Sequence, residues 1–294
     1  MRASPARSRL HCLKRRDYPS INIFIQVNLM RLAKLLLLLS LNAFLVCAQS
    51  ARADGLSDVQ KRGILRVAVP QDFAPFGSVT PGLKLQGLDI DVAALIAKNM
   101  GVKLELVPVS SANRIAYLQT HKADLVISTL GKNAEREKVI AFSQPYSPYN
   151  NSVFGPAGIK VSGPADLAGK TIGVARGTFQ DSQLTDTAPA SATIKRYEDN
   201  NGMISAYLAG QVQLVGTGDF VAVALAGKAA GNKPQMKYII QESACYVGLL
   251  KEEPALMASV NAALTQAKKD NALNGIVQKW LNVPLPGKLA KQLE

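Results

Sequence analysis

The stretch GILRVAVP (63–70), read together with DIDVAALIAKNM (89–100) and VKLELVPV (102–109), decides the fold class. The first segment is a Val/Leu-rich run of the length of one buried strand. The second sets apolar residues at helical spacing and stops at Gly101, a residue suited to the position just past a helix end. The third alternates with the period of two that a strand requires. Ser111 stands where it can cap a further helix running towards His121, and ADLVIS (123–128) supplies a third strand. Strand–helix–strand repetition predicts an α/β fold with parallel sheet and right-handed crossovers.

A second series of the same kind follows SQPYSPYNN (143–151), a Pro/Tyr/Asn-rich stretch that reads as a link. GPADLAGKTIGVARG (163–177) predicts a helix and then a strand ending at Gly177. ATIKRY (192–197) reads as a strand, NGMISAYLAG (201–210) as a helix, and VQLVGTG (212–218) as a strand that delivers Asp219. YIIQESACYVGLLK (238–251) reads as one or two strands, and Pro254 opens a final long helix towards Trp280. Two βα series predict two lobes. If the segment near 240–251 crosses back, 54–149 and 245–294 form the first lobe and 150–244 the second.

The formal charge of +13 suggests a nucleic-acid partner until it is divided along the chain. Residues 1–53 hold nine Lys/Arg and a single acid, Asp17, leaving 25 basic and 20 acidic residues, a net +5, for 54–294. That remainder is scattered and forms no basic stripe interleaved with aromatics, so nucleic acid is not expected. The N-terminal excess belongs to MRLAKLLLLLSLNAFLVCAQSARA (30–53), which has early cations, an apolar run and the small residues Ala51 and Ala53. This is the layout of a secretory signal peptide cleaved before Asp54, with 1–29 an upstream extension. The apolar run, about 14 residues, is short for a membrane span, which needs about 20. Cys47 follows Val46, where a lipoprotein signal carries a small residue, so export in soluble form to the periplasm is expected.

Of Cys12, Cys47 and Cys245, only Cys245 lies beyond the signal, which excludes a disulfide within the mature chain. Cys245, in ACYVGLL, reads as a small buried hydrophobe. The histidines are His11, within the discarded segment, and His121, in the polar run QTHKAD. So few Cys and His supply neither a zinc site nor a histidine-based nucleophile, and no metal or cofactor is expected.

GLDIDVAALIAKNM (87–100) carries the most specific signal. Read alone, Asp89 and Asp91 lie at a helix start, where carboxylates complement the dipole, and their spacing sends them to different faces. The string also resembles the motif of the solute-binding proteins of polar amino-acid ABC importers (family 3). SANRIAYLQTHKADLVISTLGKNAEREKVIAFSQPYS (111–147), GKTIGVARGT (169–178) and WLNVPLP (280–286) extend that resemblance over most of 62–285. SANRI and the terminal N-x-P-x-P pattern are most similar to the glutamate/aspartate-type branch. The resemblance implies a two-lobed type II periplasmic-binding-protein fold, with two hinge crossings and a cleft that closes on one amino acid.

The resemblance also assigns residues. Arg136, in AERE, falls where the family grips the ligand α-carboxylate, a task suited to a planar fork of donors. Thr129, with Ser128 beside it, falls where a hydroxyl supports that carboxylate. Gly131 replaces a family Ser/Thr and offers only its backbone N–H. Thr178 and the backbone of Phe179, in RGTFQ, come from the second lobe, and Asp219, in GTGDF, falls where an acid pairs with the α-ammonium. Ser111 and Arg114 match the pair that meets the distal carboxylate, and Phe73, in DFAPF, the aromatic at the cleft edge. Pro70 stands where acidic-ligand binders carry another Arg and basic-ligand binders a carboxylate, and Asn200 where a His is found. Glutamate, glutamine, aspartate, asparagine and a small polar relative therefore all stay open. The expected protein is a monomeric carrier that hands its amino acid to a membrane permease. An enzyme on the same scaffold, similar to a cyclic-acid dehydratase, is the alternative, which the lack of an acid/base pair among these residues disfavours.

Overall fold

The computed structural model describes residues 55–227, 229, 231, 233–287 and 289. The expected signal peptide and cleavage site lie outside them. No helix among the described residues is long and apolar enough to cross a membrane.

The first series runs α1 (Gly55–Arg62), β1 (Ile64–Pro70), a small antiparallel sheet of β2 (Asp72–Phe73), β3 (Gly77–Val79) and β4 (Leu85–Gln86), then α2 (Leu88–Asn99), β5 (Lys103–Val109), α3 (Arg114–Gln119), β6 (Leu125–Leu130) and α4 (Ala134–Val139). β7 (Ala141–Gly155) leads to a second series: β8 (Thr171–Ala175), α5 (Phe179–Thr187), β9 (Thr193–Tyr197), α6 (Asn200–Leu208), β10 (Leu214–Gly218) and α7 (Asp219–Ala226). β11 (Gln235–Leu249) returns, and α8 (Pro254–Lys269) and α9 (Ala272–Leu281) follow.

All eight main strands share one sheet, in the order β5-β1-β6-β11-β7-β10-β8-β9. β5, β1 and β6 are parallel at one end, and β10, β8 and β9 at the other. Between them β7 and β11 form an antiparallel ribbon fifteen residues long in each strand. The inner strands β1, β6, β8 and β10 are covered on both faces, which is why they read as apolar runs, whereas the edge strands β5 and β9 are partly exposed. Leu65, Val67 and Ile127 pack with Ile96, Val260 and Val277, while Ala68, Val126 and Leu130 pack with Leu118 and Ile140 on the opposite face. At the far end Ile172, Val174 and Leu214 pack with Leu184, and Val215 packs with Met203, Tyr207 and Leu225.

Four local expectations are corrected. SQPYSPYNN is not a link but the middle of β7, where Pro145 and Pro148 lie opposite Tyr246 and Ala244. A proline fits there because its fixed φ is compatible with extended backbone, and the register shifts beside Pro145, at Cys245/Tyr246. The helix read in GPADLAG is one 3₁₀ turn, Pro164–Leu167, cut short where Gly169 adopts φ 68°. The final helix is two helices, broken at Asn271 with φ 64°. Ser111 does not cap α3; Asn113 occupies that position, without a side-chain bond. YIIQESACYVGLLK lies in one strand, β11, and Cys245 is fully buried.

Candidate functional site

The ends of β1 and β6, the N-termini of α3 and α5, and α4 converge on a small cavity of about 20 Å³, lined by thirteen residues. Nine of the ten sequence-predicted residues are among them: Phe73, Ser111, Arg114, Ser128, Thr129, Gly131, Arg136, Thr178 and Phe179. Pro70 also lines it, together with three residues that sequence reasoning did not single out: Tyr149, Asn151 and Gln180.

Two arginines dominate. Arg114 begins α3, where a cation opposes the helix dipole, and is only 4% exposed. Its Nη1 donates to the Ser128 carbonyl at 2.6 Å, and its Nη2 approaches the Gly177 carbonyl at 3.4 Å. Arg136 is 7% exposed. Asn133 caps α4 by accepting the Arg136 N–H at 2.9 Å, and the guanidinium donates to the carbonyls of Gly131 (2.7 Å) and Gly177 (3.1 Å). Burial pushes the Arg136 guanidinium down to about 9, and repulsion from Arg114 adds to this; burial lowers Arg114 as well. Two desolvated cations sharing one neutral carbonyl form a place where an anion is strongly favoured. Among the described residues, no carboxylate lines the cavity.

Behind this wall lies Asp89, which is fully buried. Its Oδ2 accepts the Thr129 N–H (2.8 Å) and hydroxyl (3.1 Å), and its Oδ1 accepts the Tyr146 hydroxyl at 2.8 Å. Those bonds hold Thr129 at φ 46°, a conformation a β-branched residue rarely adopts, and so fix the turn that presents residues 128–131 to the cavity. Burial raises the Asp89 carboxyl to about 7, against the lowering effect of its donors and Arg114. Sequence alone assigned Asp89 to the helix dipole; its inward direction depends on the packing of α2 against β6, which spacing does not reveal. Asp91 faces the other way, as its spacing predicted, and meets Lys279 Nζ and Trp280 Nε1, each at 2.7 Å.

The opposite wall is neutral. Thr178 caps α5, donating its hydroxyl to the Ala175 carbonyl (2.7 Å) and accepting the Asp181 N–H (3.2 Å). The first turn of α5, Phe179 and Gln180, therefore presents backbone N–H groups at the end of a helix that favours anions. Gln180 Nε2 donates to the Tyr149 hydroxyl at 3.2 Å. Asp219, the first residue of α7, is not among the lining residues. Its Oδ2 accepts from Asn150 Nδ2 (3.0 Å) and its Oδ1 from the Phe220 N–H (2.9 Å). Burial raises its carboxyl, and no ion pair to it occurs among the described residues.

The two walls also touch directly. A Cβ added at Gly177, φ 74°, would lie 2.7 Å from the Ala112 Cα. Asp72 Oδ2 accepts the Asn200 N–H (2.6 Å) and Nδ2 (3.1 Å), so a residue beside β1 bonds the first residue of α6. Asn200 thus serves the junction and does not line the cavity.

The model of bacterial extracellular solute-binding proteins, family 3, matches residues 65–283. The chain belongs to that family. It is 26% identical over 227 residues to the L-cystine-binding protein of Escherichia coli (strain K12), covering 76% of this chain and 85% of that one. A glutamine-binding protein of an ABC transporter from Bacillus subtilis (strain 168) is 24% identical over 239 residues, covering 80% and 87%. Among solved structures, an ancestral amino acid-binding protein described as a precursor of cyclohexadienyl dehydratase superposes with a TM-score of 0.71 at 29% identity, covering 77% of this chain and 99% of that one. The chain accordingly has the two-lobed type II periplasmic-binding-protein fold, and it is a solute-binding protein of amino-acid transport rather than an enzyme.

Proposed function

We propose that this protein is the periplasmic receptor of an ABC importer, capturing one polar or acidic amino acid between two lobes and delivering it to a membrane permease. Glutamate, glutamine and aspartate are the favoured ligands, as in the glutamate/aspartate-type branch. The observation that carries this reading is the convergence of Arg114 and Arg136 on the Gly177 carbonyl in a cavity lined, among the described residues, by no carboxylate. The lobes are 54–149 with 245–294, and 150–244, so that β7 and β11 are the two hinge crossings. In this reading Arg136, Thr129, Thr178 and the N-terminus of α5 take the α-carboxylate, and Asp219 takes the α-ammonium as the lobes close. The raised carboxyl of Asp219, with only neutral donors against it, supports that role. Ser111 and Arg114 meet the side-chain oxygens, and Phe73 packs against the ligand stem. A buried like-charge contact with Arg114 disfavours lysine and arginine.

A thermal-shift panel of the twenty amino acids and L-cystine tests the proposal. A ligand at about 100 times its Kd raises the melting temperature of a domain this size by roughly 5–10 °C. The expected result is a rise with glutamate, glutamine or aspartate. No rise with any member, or the largest with arginine, contradicts it.

A further inference from the structure

Asn150 and Asn151 are consecutive on β7 and point to opposite sides of the strand, as alternation requires. Asn150 uses its amide N–H to hold Asp219. Asn151 lies opposite Gly218 of β10 and Gln241 of β11, is 1% exposed, and lines the ligand cavity beside Tyr149, two residues back on the same face. Its Nδ2 is fully buried and has no hydrogen-bond partner among the described residues. A buried donor left unpaired destabilises the fold, so such a group calls for a function that supplies the acceptor. The Ser152 and Thr217 hydroxyls are also unpaired, but they are register partners in the sheet and do not line the cavity. Among the described residues, Arg114 Nε is the other unpaired buried donor in the cavity lining.

We infer that Asn151 is a ligand-contacting, specificity-determining residue, whose amide N–H donates to an oxygen of the bound amino acid. The inference rests on the proposed site and adds a reader from the crossing strand. That position gives the contact a second property. Asn151 stands on the element both lobes share, so its donor is in place before either lobe moves. With Arg114, it makes the cavity rich in donors and poor in acceptors, suited to a ligand whose side chain presents oxygen rather than ammonium.

The test is calorimetric titration of wild type, Asn151→Ala, Asn151→Leu and Asn151→Asp with L-glutamate and L-glutamine, with Arg136→Ala as a control for the site. Loss of the donor is expected to weaken the better-bound probe by roughly 10-fold or more in the Ala and Leu variants. Asp, which replaces the donor by an anion facing ligand oxygen, is expected to weaken glutamate further, by about 100-fold. The melting temperature of the unliganded Ala and Leu variants should stay within about 2 °C of wild type, because no partner is lost in the free protein. Should the Leu variant not fold, the Ala variant decides. Ala binding within about twofold of wild type, Asp binding as tightly as wild type, or a large fall in the unliganded melting temperature overturns the inference. A wild type that binds neither probe, with Arg136→Ala indistinguishable from it, overturns the ligand reading and this inference together.

Discussion

The cavity has two walls of opposite construction. The wall from the β5-β1-β6 end carries both full positive charges, Arg114 and Arg136, each held by carbonyls of its own end at 2.6 and 2.7 Å. Asp89 buttresses it from behind through Thr129 and Tyr146. The wall from the β10-β8-β9 end offers only neutral groups: the capped start of α5, Gln180 and the crossing-strand amide of Asn151. Its nearby charges, Asp219 and the Asp181–Arg196 pair, stand outside the cavity lining. One wall is thus cationic and the other neutral. Gly177, which lends its carbonyl to both arginines, is where the two meet.

The largest expected effect breaks the charged wall. Arg136→Ala leaves a desolvated carboxylate unpaired, and affinity should fall by roughly 30-fold to several thousand-fold, about 2–5 kcal/mol. Asp219→Ala should fall in the same range; binding within about threefold of wild type would place the ammonium elsewhere. Calorimetry on both variants, with circular dichroism to confirm the fold, gives the answer. Next is the meeting point. Gly177→Ala adds a left-handed penalty of about 1–2 kcal/mol and sets a methyl against the Ala112 backbone only when the walls are together, so affinity should drop about tenfold or more. A variant that binds as wild type shows that the walls meet differently when the ligand is bound. The smallest effect concerns Asp72, which bonds the start of α6 across the junction. Asp72→Ala should lower affinity by about 2- to 30-fold, the value of a helix cap of roughly 0.5–2 kcal/mol, and should raise the rate of ligand release in stopped-flow measurements.

The sequence made the charged wall legible and the neutral one only partly so. Parallel strands and their helices were readable because the inner strands are buried on both faces, which leaves continuous apolar runs such as those of β1, β6 and β10. β7 was hidden by its own composition: Pro145 and Pro148 signal a loop, and only antiparallel pairing with β11 makes an extended proline strand stable. Arg114 and Arg136 were found through family resemblance, since locally each reads as a surface cation. Arg114 at a helix start breaks the dipole preference, the kind of local conflict that marks a functional residue. Asn151 had no such flag. Its importance arises from burial without a partner, which depends on the ribbon carrying Tyr149 and Asn151 into the cavity. Asp89 was visible in the motif, but its direction followed from the tertiary packing that brings Thr129 and Tyr146 to it.

The most direct test of the cationic grip is a calorimetric comparison of L-glutamate, L-glutamine and L-arginine on the wild-type protein. Glutamate and glutamine have side-chain oxygens to offer Arg114, whereas arginine would bring a third guanidinium to a cavity already holding two. The account predicts that one of the first two binds at least about 100-fold more tightly than arginine, as a desolvated like-charge contact requires. Arginine binding tightest would contradict it.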